Sequence, residues 1–206
     1  MTRVKVCGIT RVGDGLAAAQ AGVDAIGLVF HAASPRNVGI AQAADIVRAL
    51  PPFVSTVALF VNPEPERVHA VLTGVRPDLL QFHGEETPAF CRAFGAPYIK
   101  AVRVRAGVDL LQSATSYADA RGLLLDAWSE AAHGGTGERF DWSLIPVALP
   151  RPVILAGGLS PANVAAAVRQ VRPWAVDVSS GVEAAKGIKD AARIAAFMKE
   201  VRNADV

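Results

Sequence analysis

Short apolar runs alternate along the whole chain with alanine-rich stretches of helical character, a rhythm that signals parallel strand-helix units. The runs predict strands over residues 3–7, 25–30, 54–60, 78–82, 98–102, 122–126, 153–156 and 175–178. Between them, helices are predicted over stretches such as 41–50, 64–72, 161–171 and 190–201, mostly opened by Pro, Asp or Ser. The expected unit is therefore strand then helix throughout. Eight such units in 206 residues favour closure into a single-domain (β/α)8 TIM barrel over 1–206, because no strand is left unpaired and no long linker divides the chain. On pattern alone an open doubly wound α/β sheet stays possible.

Composition narrows the partners more than the fold. Hydrophobic residues make up 51% and charged residues 19%, an ordinary globular balance for a chain that folds autonomously. The formal charge of +2 is spread without a basic run, so no nucleic-acid-binding stripe is expected. The segment from Met1 to Val6 turns polar too early for a signal peptide, and no apolar run approaches membrane-spanning length. The expected setting is the cytoplasm, with no membrane partner. There, Cys7 and Cys91 are expected to stay reduced and must be judged singly. Sixteen Arg against five Lys, scattered over many helices, read as a coding bias without functional content.

In such a barrel catalytic groups sit at the carboxyl ends of strands. Cys7 closes the first predicted strand and Asp126 the sixth, so both are expected in the mouth. Those strands stand three places apart around a closed ring, which sets a thiol and a carboxyl on different sides of anything bound there. That arrangement suits an acid and a base. Taken alone, Cys7 has a commoner use as a small core residue. An aspartate after three leucines is costly to bury unless its surroundings use it, although it could simply cap a turn.

A second signal follows the last two strands. Gly157 and Gly158 precede a Ser-Pro helix start, and Asp177-Val178-Ser179-Ser180-Gly181 leads into a predicted very short helix before Gly187. A phosphate would fit between the two loops, the usual phosphate position in these barrels. Arg36, after strand two, could hold a carboxylate in a bidentate pair, or be a solvated loop arginine. His83, after strand four, could touch a ligand, cap a helix or only turn the chain. His31, His69 and His133 are too scattered to assemble a convincing metal site, so no metal is expected. The glycine-rich stretch 134–137 reads as a lid or loop-closing segment and lacks the ending of a nucleotide-binding P-loop.

From first strand to last helix these segments resemble the phosphoribosylanthranilate isomerase family, whose barrels are of the ribulose-phosphate-binding type. The resemblance rests on Val4-Lys5-Val6-Cys7-Gly8-Ile9-Thr10, Ser34-Pro35-Arg36, Gln81-Phe82-His83-Gly84, Leu125-Asp126-Ala127, the stretch 134–137, Leu155-Ala156-Gly157-Gly158-Leu159 and Asp177-Val178-Ser179-Ser180-Gly181-Val182-Glu183. It implies an Amadori rearrangement of a small phosphosugar in tryptophan biosynthesis, without a cofactor, by a monomer or homodimer. Carried over, Asp126 is the general acid and Cys7 the base. Arg36 binds the anthranilate carboxylate and His83 contacts substrate. Gly157, Gly158, Ser180 and Gly181 hold the phosphate, and Asp177 orients a sugar hydroxyl or its loop. Phe82 departs from the aliphatic residue expected there, and His133 from the aromatic expected before 134–137. The nearest rival is another sugar-phosphate isomerase of the tryptophan or histidine branch, and a histidine-branch enzyme would carry an aspartate where this chain has Cys7. A non-catalytic phosphosugar-binding protein on the same scaffold is the rival from another class.

Overall fold

The computed structural model describes residues 1–127 and 140–204. Both His133 and the 134–137 stretch lie outside the described residues. Eight parallel strands close into a ring in chain order: β1 (Arg3–Cys7), β2 (Ala25–Val29), β3 (Ser55–Phe60), β4 (Leu79–Phe82), β5 (Tyr98–Val104), β6 (Leu123–Ala127), β7 (Val153–Leu155) and β8 (Ala175–Val178). The last pairs with the first through Lys5 opposite Asp177. Closure thus decides for the barrel over the open sheet. The helices are α1 (Val12–Ala21), α2 (Ile40–Ala49), α3 (Pro65–Gly74), α4 (Pro88–Arg92), α5 (Leu110–Ser116), α6 (Val164–Val171) and α7 (Ala191–Ala204).

The two-residue period of a strand sorts side chains onto two faces. Val4, Val6, Leu28, Phe60, Leu80 and Val176 face outward into a layer shared with helix residues such as Ile46, Val68, Ile194 and Phe197. Val57, Ile99, Ala101, Leu124 and Ala156 fill the barrel interior, and Cys7, Val29 and Leu59 form an apolar group of their own. Phe82 lies in the outer layer, where it stacks on Phe60 and Phe94 with ring centroids 6.2 and 5.9 Å away. An aromatic neighbourhood therefore accommodates this departure from the aliphatic pattern.

Three expectations need correction. Between β6 and β7 the described residues hold only a 3-10 turn, Trp142–Leu144, rather than a helix. Helix α6 starts at Val164, not at 161, because Asn163 is used to tie down the preceding loop: its Oδ1 accepts from Ser160 N–H at 2.9 Å and its Nδ2 donates to Gly158 O at 2.8 Å. After β8, the expected short helix is only the 3-10 turn Ser180–Val182. It is followed by a hairpin of β9 (Glu183–Ala185) and β10 (Ile188–Lys189), turned by Gly187 at φ +77°.

Candidate active site

Cys7 and Asp126 line one cavity at the carboxyl ends of the strands, 6% and 5% exposed, on strands three steps apart around the ring. Arg36, His83, Gly157, Gly158, Asp177 and Ser180 share the same cavity wall. All the site residues singled out from the sequence, except Gly181, thus line one space.

Two residues before Cys7, and so on the same face of β1, Lys5 donates to Asp177 Oδ1 at 2.9 Å. Burial opposes the Lys5 charge, but Asp177 and Cys7 outweigh it and hold the ammonium above its ordinary value. Burial also pushes the Cys7 thiol up, and the nearby Lys5 ammonium draws it only part of the way back. Cys7 is therefore a strong base once ionised, with a cation beside it. Asp177, expected at a sugar hydroxyl or its loop, has Lys5 as its partner.

On the opposite wall, Asp126 has two hydrogen-bond partners. Ala127 N–H reaches Oδ1 at 2.9 Å, and His83 Nε2 stands 3.1 Å from Oδ2. The other ring nitrogen of His83 lies 3.0 Å from Gln81 Nε2. Both nitrogens of His83 thus have partners inside the protein, although the ring also borders the cavity.

Arg36 does form a bidentate pair, but with an internal carboxylate: Nε and Nη2 donate to Glu183 at 2.7 and 2.8 Å. Glu183 also receives Lys189 Nζ at 2.8 Å. Burial alone would raise the Glu183 carboxyl, yet Arg36 and Lys189 together hold it below the usual range. Two cations around one anion leave the cluster net positive. Among the described residues Arg36 Nη1 has no hydrogen-bond partner, so this end of the fork can meet an anionic ligand.

The glycine loops are shaped by close approach. Gly157 and Gly158 adopt φ of +85° and +60°, which β-carbon-bearing residues rarely take. A Cβ on Gly181 would fall 2.0 Å from Leu159 O, so the loops after β7 and β8 touch there. Gly181 sits at that contact and does not itself line the cavity.

The chain matches the family model described as N-(5'phosphoribosyl)anthranilate (PRA) isomerase over residues 4–200. It is 60% identical over 202 residues to N-(5'-phosphoribosyl)anthranilate isomerase of Azotobacter vinelandii, covering 98% of each chain. The chain belongs to the N-(5'-phosphoribosyl)anthranilate isomerase family. The Pseudomonas fluorescens isomerase is 58% identical over 98% of this chain and 96% of its own. A crystal structure of the Thermotoga maritima isomerase superposes with a TM-score of 0.89 at 43% identity, over 98% of this chain and 100% of that one. Another phosphoribosyl anthranilate isomerase structure, in complex with reduced 1-(o-carboxyphenylamino)-1-deoxyribulose 5-phosphate, gives 0.85 at 42% over the same shares.

Within this isomerase framework, sequence reading gave no role to Lys5, Gln81, Glu183 or Lys189. The signal for the first two was available: each is a polar residue in the middle of an apolar strand, two positions before a candidate. Glu183 and Lys189 carry no such signal, because the hairpin that presents them is a turn of the chain and not a periodic element.

Proposed function

We propose that residues 1–206 act as one catalytic barrel domain that converts N-(5'-phosphoribosyl)anthranilate to 1-(o-carboxyphenylamino)-1-deoxyribulose 5-phosphate, with Asp126 as general acid and Cys7 as general base. The observation that carries this reading is the placement of a carboxyl and a thiol on opposite walls of one cavity, in a chain of the isomerase family. Asp126 gives its proton to the furanose ring oxygen. The C1'–O bond breaks toward that oxygen, and the nitrogen lone pair closes a C1'=N iminium. The Cys7 thiolate then takes the C2' proton, and the C–H electron pair forms C1'=C2' while the iminium electrons return to nitrogen. The enolamine becomes the aminoketone as the C2' hydroxyl loses a proton and C1' gains one. Enzyme protonation resets through solvent exchange, so no electron acceptor and no cofactor enters the cycle.

The remaining roles follow from charge and shape. The anthranilate carboxylate is held by Arg36, which lines the cavity and belongs to a net positive cluster with Lys189 and Glu183. Backbone N–H groups of the loops bearing Gly157, Gly158 and Gly181, with the Ser180 hydroxyl, hold the phosphate. His83 forms part of the cavity wall beside the acid, and Asp177 keeps Lys5 beside the base. A mechanism that needs Cys7 as a free thiol fits a reducing compartment such as the cytoplasm. The test is continuous fluorescence with N-(5'-phosphoribosyl)anthranilate: consumption with stoichiometric aminoketone is expected. Binding without consumption would leave a phosphosugar-binding protein instead.

Two substitutions probe the binding groups. Arg36→Ala is expected to raise KM by roughly 10- to 100-fold with a smaller change in kcat, since a carboxylate clamp holds ground and transition states alike. A large fall in kcat at constant KM would remove Arg36 from that role. Gly181→Ala forces the two phosphate loops apart at Leu159 O and is expected to raise KM at least about tenfold. Competitive inhibition by inorganic phosphate should weaken in parallel. Unchanged inhibition would place the phosphate elsewhere.

A further inference from the structure

The cavity accounts for Asp126 as an acid but leaves unexplained a glutamine buried beneath it. Gln81 is 0% exposed, and its Oε1 has no hydrogen-bond partner among the described residues. An amide that leaves its oxygen unsatisfied inside a barrel is constrained by what its nitrogen does. That nitrogen stands 3.0 Å from His83 Nδ1, while His83 Nε2 stands 3.1 Å from Asp126 Oδ2. The three residues line up because Gln81 and His83 are two positions apart at the end of β4, and both face the interior that Asp126 faces from β6.

We propose that Gln81 is a positioning residue that fixes the tautomer of His83 and thereby leaves the Asp126 O–H free to face the substrate instead of the ring. A donor at Nδ1 requires that nitrogen to be unprotonated, so the proton of the neutral ring sits on Nε2 and is donated to Asp126 Oδ2. With the opposite tautomer, Nε2 would be an acceptor and would bind the Asp126 O–H itself. The acid's proton would then point away from the cavity. With Gln81 in place, Oδ2 accepts from Nε2–H and Oδ1 from Ala127 N–H. Both bonds also stabilise the carboxylate that remains once the proton has gone to the ring oxygen. His83 therefore serves the reaction through Asp126, not through a nitrogen offered to substrate.

This inference rests on Asp126 being the general acid, and the experiment separates the two. In wild-type enzyme with 15N-labelled histidine, the His83 ring is expected to show Nε2 protonated and Nδ1 unprotonated at neutral pH. A protonated Nδ1 would overturn the proposal without any variant. Gln81→Glu puts an acceptor at Nδ1 and is expected to move the ring proton there, with kcat falling about tenfold or more at unchanged KM. Gln81→Met removes the donor without adding charge, and kcat should fall there too. If either folded variant keeps wild-type kcat while Asp126→Asn is inactive, the relay fails and the acid assignment stands. If Asp126→Asn is itself active, both fail.

Discussion

Asp126→Asn is expected to lower kcat by about 10²- to 10⁴-fold while the protein still folds and binds substrate. The amide nearly matches the carboxyl in size, so the wall of the cavity persists. An amide cannot give up a proton at neutral pH, however, and the ring oxygen then has to leave as an alkoxide. Its Oδ1 can still accept from Ala127 N–H, which argues for retained local geometry. The residual rate should rise with pH, because the only remaining titrating catalyst, Cys7, acts as a thiolate and burial holds its thiol above the ordinary value. Single-turnover fluorescence, after circular dichroism has confirmed the fold, reads both effects. A rate near wild type would remove Asp126 from the mechanism.

Cys7→Ser is the second large effect, again about 10²- to 10⁴-fold in kcat. Volume changes little, and the packing of Cys7 against Val29 and Leu59 is kept. What is lost is the base: a thiol ionises near 8.5 in water, whereas a serine hydroxyl does not ionise usefully at neutral pH. Lys5 remains, still paired with Asp177, so a cation beside the position does not rescue the variant. Here the residual rate should fall with pH, since the remaining catalyst, Asp126, acts only while protonated. Wild-type turnover in this variant would leave Cys7 a core residue.

The barrel was legible because its strands are short, apolar and separated by periodic helices. The ends of β1 and β8 match the sequence reading residue for residue. Helix starts were less legible where a side chain served the loop first, as Asn163 does. The meeting of Cys7 and Asp126 in one cavity was legible because strand ends in a barrel converge on one mouth, so position along the chain already implies position in space. The bidentate pattern of Arg36 was legible, but its partner was not. Glu183 lies 147 positions away in sequence, and only closure of β8 onto β1 brings the hairpin that carries it over the mouth. Lys5 and Gln81 lie inside strands and not at their ends, so strand-end position does not mark them, although a polar residue inside a buried strand is itself informative.

The division of labour across the mouth is tested most directly by the pH dependence of residual kcat/KM in the two variants, measured side by side by single turnover. An acid at Asp126 and a base at Cys7 require opposite slopes: rising with pH in Asp126→Asn and falling with pH in Cys7→Ser. Slopes of the same sign, or the two exchanged, would contradict the assignment.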